Sequence, residues 1–149
     1  MESRQYDHWS ADQLNIDNKT YEEDHDVMTK LWSRGFFNST WQIDYLPLFK
    51  SGMGVCTADI FALKEINRQL GYNTGNDRIV EVAELFRKVF TGYSMFRYDD
   101  DQIVAVCHNI DQKQFQKMVD YAKELLDALD FEVSYGFSWK SEPMVYEAI

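Results

Sequence analysis

The chain has 149 residues, of which 45% are hydrophobic and 15% aromatic, and its formal net charge at pH 7 is −10. This length and apolar content suit one domain with one packed core, and they argue against disorder over most of the chain. The acidic balance excludes free nucleic acid as an expected partner, because such a surface repels phosphate backbones.

No apolar stretch approaches the roughly 20 residues that a membrane helix needs. The first residues also lack the apolar core of a secretory signal. We therefore expect no membrane segment and a cytoplasmic location. Cys56 and Cys107 each lie in an apolar run without a metal-ligand spacing, which predicts two buried, reduced thiols.

Residues 1–25 are polar and acidic and keep neither the helical nor the strand period, which predicts a tail or a linker. His25 follows three acidic residues, a pattern that favours a solvated charge run over a metal cluster. The predicted domain spans residues 26–149. Its first element is an amphipathic helix running from Met28 toward Tyr45, with an apolar face at helical spacing formed by Met28, Leu31, Trp32, Phe36 and Phe37.

A short β-branched run at residues 54–60 predicts a buried strand, and residues 62–70 predict a helix. Gly71 stands where a left-handed helix cap is required. A second helix is predicted to start at a cap formed by Asn76 or Asp77. Its expected apolar face consists of Ile79, Val82, Leu85, Phe86 and Phe90.

Residues 94–98 and 102–107 predict a hairpin with an acidic tip at residues 99–101. Asp111 is the expected cap of a third helix that runs to about Leu129, and residues 131–139 alternate as a final strand. A further helix begins at residues 142–149. This order of elements predicts an α+β fold of the ferredoxin-like or palm type, with helices on one face of an antiparallel sheet.

Five segments, in order along the chain, carry recognisable motifs. They read DVMTKLWSRGFF at 26–37, DIFALKEIN at 59–67, GYNTGN at 71–76, FRYDDDQIV at 96–104 and VSYGF at 133–137. These segments resemble the D-x-L-T, D-I-D-x-F-K, G-H-x-x-G-D, R-Y-G-G-D/E-E-F and S-I-G motifs of GGDEF domains. The resemblance implies the fold of the bacterial diguanylate cyclases.

In that family two GTP-loaded domains face each other and form cyclic di-GMP, with divalent cations offsetting the triphosphate charge. Mg²⁺ takes hard oxygen ligands. The resemblance implies that Asp59, the backbone carbonyl of Ile60 and Asp101 would hold it. Judged without the resemblance, Asp59 and Asp101 are surface or capping residues.

The resemblance assigns nucleotide binding to Leu63, Lys64, Asn67 and Asn76. Asn67 and Asn76 would read guanine, although Asn67 also suits a helix cap. The family has Asp at the position of Asn76. Because an amide accepts through one oxygen only, guanine recognition there is expected to be weaker.

The signature loop departs from the family pattern. Asp99 and Asp100 replace its two glycines, and Gln102 replaces its second acid, so that no residue of the sequence 99–102 is predicted to be catalytic. Glycine there permits a positive φ, which Asp adopts at roughly 1 kcal/mol per residue. The added carboxylates also repel a triphosphate. Phe61 replaces the second Asp of D-I-D and Leu63 replaces the Phe of F-K.

Two further family features are missing from the sequence. The inhibitory R-x-x-D motif would fall on residues 90–93, which read FTGY. The last helix of the family, which supplies basic groups for the phosphates, is expected to be absent. Either a truncated chain or a natural loss of these cations is consistent with the sequence.

These observations favour a degenerate GGDEF domain in bacterial nucleotide signalling. Such a domain would act as a regulatory or interaction module, with weak binding of GTP and Mg²⁺ and with a homodimer partner or other signalling domains. An active or impaired diguanylate cyclase is the alternative. The acidic hairpin also resembles palm-type polymerases, and a purely structural role of the tip stays open.

Overall fold

The computed structural model describes residues 24–48 and 50–142. Its strands are β1 Trp32–Ser33, β2 Met53–Ile60, β3 Ser94–Asp99, β4 Gln102–His108 and β5 Val133–Lys140. A helical stretch at residues 34–44, α1, contains a π-helical turn at Phe37–Trp41 between two α-helical turns, and a 3₁₀ turn follows at Leu46–Leu48. The other helices are α2 Leu63–Leu70, α3 Tyr72–Val89 and α4 Gln112–Asp127.

The five strands form one sheet in the order β1-β3-β4-β2-β5. Neighbours among β3, β4, β2 and β5 are antiparallel, and only the two-residue β1 pairs in parallel, with β3. The two central strands read as nearly continuous apolar runs because both of their faces are buried. The predicted α+β fold of the palm type is confirmed.

Helices cover both faces of the sheet, and the prediction of helices on one face is wrong. Side chains alternate along β2: Cys56, Ala58 and Ile60 join the cluster that contains residues of α3 and α4. Met53 and Val55 join a second cluster on the opposite face. Its aromatic members come mainly from α1: Phe36, Phe37 and Trp41.

The first helix begins at Arg34 and not at Met28. Residues 26–30 form a turn in which the N–H and hydroxyl groups of Thr29 donate to Asp26 Oδ2, at 2.7 and 2.8 Å. The chain then pairs with β3 as β1, and Ser33 Oγ caps α1 by accepting a hydrogen bond from the N–H of Phe36 at 3.1 Å. The helical spacing of Met28 was therefore not a sign of helix.

The helix that was predicted to start at Asn76 or Asp77 is α3, and it starts at Tyr72, four residues before Asn76. Gly71 has the predicted positive φ (89°), and its N–H donates to the carbonyl of Asn67 at 3.1 Å. The helix begins before Gly75 and includes it, because that glycine packs against α2. A Cβ at position 75 would lie 1.9 Å from Asn67 Oδ1. A cap at Asn76 or Asp77 is therefore wrong.

The remaining boundaries differ from the predictions by about one or two residues. Asp111 caps α4 as predicted, its Oδ1 accepting a hydrogen bond from the N–H of Gln114 at 2.7 Å. Cys56 and Cys107 are free and buried as predicted. Burial raises the pKa of Cys56 to about 12 and raises the pKa of Cys107 as well. Within the described ranges no helix is long and apolar enough to cross a membrane.

Residues 1–23 and 143–149 lie outside the described residues, and with them most of the predicted tail and most of the predicted last helix. His25 is described, and only 4% of its surface is exposed. Its ring stacks on Trp32 with the centroids 4.4 Å apart. The interpretation of His25 as part of a solvated charge run is therefore wrong.

Candidate functional site

A cavity of about 460 Å³ lies between the start of α2 and the tip of the β3–β4 hairpin. Its volume falls within the range of small-molecule sites, about 300–1,000 Å³. The structure brings six predicted site residues together in its lining: Leu63, Lys64, Asn67, Asp99, Asp100 and Asp101. Ala62 is the seventh lining residue, and the sequence reasoning did not single it out.

The end of β2 places α2 beside the hairpin. The N–H of Ile60 donates to the carbonyl of Asp101 at 2.9 Å, which joins the end of the strand to the tip. Ala62 then adopts a left-handed conformation (φ 53°, ψ 40°) and turns the chain into α2. Because Leu63 and Asn67 are four residues apart on this helix, both face the same side.

The amide of Asn67 is fixed against α3. Its Oδ1 atom is buried and accepts no hydrogen bond within the described structure. Gly75 leaves room for the Asn67 amide, because any side chain at position 75 would overlap it. The Asn67 oxygen therefore lies against α3, and the assignment of Asn67 to nucleotide binding stays a prediction.

The tip of the hairpin is a two-residue turn, Asp100-Asp101, closed by the cross-strand pair of Asp99 and Gln102. Asp99 Oδ1 accepts a hydrogen bond from the N–H of Asp100 at 2.9 Å. Neither Asp99, Asp100 nor Asp101 has a positive φ, so the predicted backbone strain is wrong. A register shift between Arg97 and Asp99 bends β3 just before the turn.

One arginine ties the tip to the N-terminal turn. Arg97 Nη1 donates to Asp26 Oδ1 at 3.0 Å, and Nη2 donates to the carbonyl of Asp100 at 2.9 Å. Burial favours a higher pKa for Asp26, but hydrogen bonds from Thr29 and the charge of Arg97 outweigh it and leave the pKa lowered. This link was not predicted, although the opposite charges of Arg97 and Asp26 in two separate motifs could have suggested it.

Carboxylates crowd the side of the cavity at the end of β2. Burial raises the pKa of Asp59, and the charges of Asp101 and Asp99 raise it further, against a hydrogen bond from Gln102. One of its oxygens, Oδ1, is buried and accepts no hydrogen bond from any residue in the described part of the chain. No basic side chain among the described residues shifts the pKa of Asp59 back toward its usual value.

These residues fit a hard cation in part. Two carboxylates, Asp59 and Asp101, and the carbonyl of Ile60 match the oxygen ligands that Mg²⁺ prefers. No group of three or more His, Cys, Asp or Glu side chains converges as a metal site within the described ranges. A cation held here would therefore need further oxygen ligands from water or from a bound phosphate.

The predicted site residues that do not line this cavity are Asn76, Asp59, Ile60 and Gln102. Asn76 is half-buried in α3 and is not among the residues that line the cavity. Asn67 thus lines the cavity and Asn76 does not. Phe61, at the position of the second Asp of D-I-D, points outward with 57% of its surface exposed.

Comparison with known proteins gives the same picture of the fold. The family model described as the GGDEF domain of diguanylate cyclases matches residues 23–137. Diguanylate cyclase DosC of Escherichia coli and of Shigella sonnei is 24% identical over 114 residues, which covers 74% of this chain and 25% of the relative. The chain spans about a quarter of the length of these curated relatives.

Solved structures agree with the fold of this chain. The apo S helix-GGDEF-EAL structure of Vibrio cholerae LapD is 17% identical with a TM-score of 0.76, covering 90% of this chain and 33% of that one. The GGDEF domain of Caulobacter crescentus DgcB, in complex with c-di-GMP, is 16% identical with a TM-score of 0.69, covering 84% and 82%. At these identities the likeness establishes the fold.

Proposed function

The chain belongs to the GGDEF domain family of the diguanylate cyclases, and on that premise we propose that it is a degenerate member. In this proposal it acts as a regulatory or interaction module of cyclic di-GMP signalling, with weak or no turnover of GTP. The observation that carries the proposal is the acidic tip, where Asp99 and Asp100 line the cavity at the place of two family glycines.

Charge is the first argument against efficient turnover. Three carboxylates line the cavity and Asp59 lies close by, whereas Lys64 is the only basic side chain among the described residues of the lining. A like-charge pair at 4 Å costs about 1 kcal/mol in water and about 4 kcal/mol at an effective dielectric of 20. Several such pairs acting on one triphosphate would remove most of its binding free energy.

Access is the second argument. Bare glycine backbone lets a main chain approach a phosphate closely, whereas Asp99 and Asp100 add side chains to the tip that lines the cavity. Gln102 cannot ionise, so the signature also lacks its second acid. When bound, Mg²⁺ would supply charge compensation for the phosphates, and Asp59, Asp101 and the carbonyl of Ile60 would hold it.

Proposed partners follow from the family. We expect a second copy of the chain or other signalling domains as partners, GTP with Mg²⁺ as a weak ligand, and a cytoplasmic location. The LapD structure joins a GGDEF domain to an EAL domain, and the DgcB domain was solved with c-di-GMP. Both facts concern those proteins, and they support this proposal only because the chain belongs to the same family.

A turnover assay tests the proposal. Purified protein is incubated with GTP and Mg²⁺, and cyclic di-GMP is quantified by chromatography. We expect no product above a protein-free blank. Appreciable product from the wild-type chain would overturn the degenerate assignment. The Asp99→Gly/Asp100→Gly variant is expected to bind GTP more tightly than the wild type, since it removes both charge and bulk.

An impaired diguanylate cyclase is the second candidate. The observation in its favour is that Asp59 and Asp101 are both retained, with one Asp59 oxygen left without a hydrogen bond. If product forms, Asp59→Asn should abolish it, because the substitution removes a proposed metal ligand. Product that survives this substitution would point to a contaminating enzyme.

A further inference from the structure

We infer that two copies of this chain associate through β5, with the two strands antiparallel and Gly136 of each copy at the two-fold axis. The two five-stranded sheets then form one continuous sheet. A second copy is one of the partners named in the proposed function, and to that extent the inference rests on it. The surface and the register are taken from the residues of β5.

Within residues 24–48 and 50–142, β5 is an outer strand of the sheet and pairs only with β2. It follows β2 over all eight of its residues without a register shift, contains no proline and carries one charge, that of Lys140. Edge strands of natural proteins usually avoid pairing with another chain by means of a proline, a bulge or several charges. A regular edge of this length is therefore suited to accept another strand.

The unpaired main-chain groups of β5 are identified by its hydrogen bonds with β2. The carbonyl of Glu132 accepts a hydrogen bond from the N–H of Phe61 at 3.1 Å, so the main chain at position 132 is directed toward β2. This direction alternates along an antiparallel pair of strands. The residues that direct their N–H and carbonyl groups outward are therefore the odd-numbered ones: Val133, Tyr135, Phe137 and Trp139.

A two-fold axis at Gly136 brings these outward groups of the two copies together. Residues at equal distances from Gly136 then face each other, so that Tyr135 faces Phe137 of the second copy and Val133 faces Trp139. Each of these pairs can exchange two hydrogen bonds. An axis between two residues would instead pair odd with even positions and leave the outward groups unmatched.

The exposed side chains around Gly136 are also self-complementary. Glu132 faces Lys140 of the second copy, and symmetry repeats this pair at the other end of the joined strands. Ser134 faces Ser138 between them, and all of these side chains are exposed in one copy. Opposite charges that face each other stabilise an antiparallel pair of strands. The charges at the two ends of β5 therefore favour a second copy over an unrelated strand.

A dimer of this kind holds the two cavities apart. Each cavity adjoins the end of β2, where Ile60 pairs with Val133. Because the joined strands are antiparallel, Val133 of one copy lies beside Trp139 of the other, and the cavities lie at opposite ends of the joined strands. Neither copy can then act on a ligand that the other holds, which agrees with an interaction module.

Charge reversal tests the pairing in the full chain, with sedimentation velocity between 1 and 300 µM as the measurement. One strand pair is a small interface, so we expect a dissociation constant on the order of 10–100 µM for the wild type. Glu132→Lys and Lys140→Glu should each weaken the dimer at least tenfold, because like charges then face each other at both ends.

An equimolar mixture of these two variants is expected to dimerise again, since every end then joins opposite charges. Asp44→Lys changes the net charge by as much as Glu132→Lys and lies at an exposed position in α1. This control should associate like the wild type.

A disulfide across the axis tests the register. Gly136→Cys should give a covalent dimer on oxidation with diamide, and a Cβ at position 136 meets nothing closer than Thr57 Oγ1 at 3.6 Å. Ser134→Cys lies on the same exposed face but should not link to itself, because the two positions 134 are four residues apart, roughly 13 Å. The native Cys56 and Cys107 are buried and should stay unlinked.

The outcomes separate this inference from the proposed function. A wild type that stays monomeric at 300 µM and forms no cyclic di-GMP would overturn the inference and leave the degenerate assignment intact. Equal association of the wild type and both charge variants, or equally fast linking of Ser134→Cys and Gly136→Cys, would also overturn it. Pairing as expected together with appreciable cyclic di-GMP would overturn the proposed function and leave the β5 interface standing.

Discussion

At the end of β2, the Asp59 carboxylate lies within electrostatic reach of Asp101 and Asp99, and one of its oxygens is buried without a hydrogen bond. At the far side of the tip, Asp26 has the contrary surroundings, with hydrogen bonds from Thr29 and an ion pair with Arg97. Two aspartates of one domain thus have pKa values displaced in opposite directions. Their effects on stability should also be opposite.

Asp59→Asn should stabilise the fold at pH 7. A carboxyl whose folded pKa is raised contributes stability below its unfolded value, near 3.8, and loses that contribution as the pH rises through the folded pKa. The gain should be about 1 kcal/mol or less, because solvent screens a partly exposed charge. Urea unfolding at pH 7 and at pH 3.5 measures it, with Asp130→Asn as the control. A wild type that is the more stable form at pH 7 would contradict the prediction.

Asp26→Asn should destabilise the fold at pH 7 by about 1–3 kcal/mol, because Arg97 and Thr29 lose a charged acceptor. Since the folded pKa of Asp26 is lowered below 3.8, this stability is present above the unfolded value and disappears as the pH falls through the folded pKa. Thermal unfolding between pH 7 and pH 2.5 should show the wild type and variant converging at the acid end. A constant difference across this range would show that ionisation is not involved.

At the scale of elements, the contact of α2 with α3 depends on one glycine. Gly75 is the fourth residue of α3, and helix propensity alone would favour Ala over Gly in a helix by up to about 1 kcal/mol. The structure predicts the reverse effect, because a Cβ at this position would lie 1.9 Å from Asn67 Oδ1 and 3.1 Å from Leu63 Cδ1. The helix pair can close only if position 75 carries no side chain.

Gly75→Ala should therefore destabilise the domain by about 1–3 kcal/mol, the usual cost of overpacking. Gly35→Ala is a matched control in α1, where a Cβ would meet nothing closer than Ser33 Oγ at 3.7 Å. The control should be neutral or slightly stabilising. Chemical denaturation of both variants, and of Gly75→Ala combined with Asn67→Ala, checks the cause. If the double variant is no more stable than Gly75→Ala alone, the clash with Asn67 is not responsible.

The sequence predicted those elements whose local pattern and tertiary contacts agree. The strands at 54–60 and 102–107 were found because their apolar runs are buried on both faces. The start of α1 was missed because Thr29, Asp26 and β1 make a turn and a strand pair that Met28 and Leu31 do not reveal. The start of α3 was missed because its cause, the packing of Gly75 on Asn67, joins two helices.

The candidate site was predictable to a similar extent. The motif resemblance assigned Leu63, Lys64, Asn67 and the three tip aspartates to one site, and all six line one cavity. Periodicity alone could not have predicted this grouping. The resemblance placed Asn76 there too, although the helical position of that residue keeps it out of the lining. The sequence did not predict that the tip residues avoid a positive φ, because the register shift in β3 depends on the pairing with β4.

At the scale of the whole molecule, the charge of −10 is distributed over a small domain. Self-repulsion of this kind opposes compaction, and dissolved salt screens it over about 10 Å at 0.1 M. Raising NaCl from 20 to 300 mM should therefore raise the melting temperature by a few degrees, corresponding to about 1 kcal/mol. A calorimetric scan measures it. A melting temperature that falls with salt would mean that favourable ion pairs dominate the charge balance.

The two cysteines sit on neighbouring central strands under the helices α3 and α4, protonated at neutral pH and shielded from solvent. Thiol-specific dyes attack only exposed thiolates, so the native protein should stay unlabelled until it opens. The rate of dye uptake then reports global unfolding without any engineered probe. A single cysteine introduced at the hairpin tip could accordingly be labelled alone, leaving the interior pair untouched.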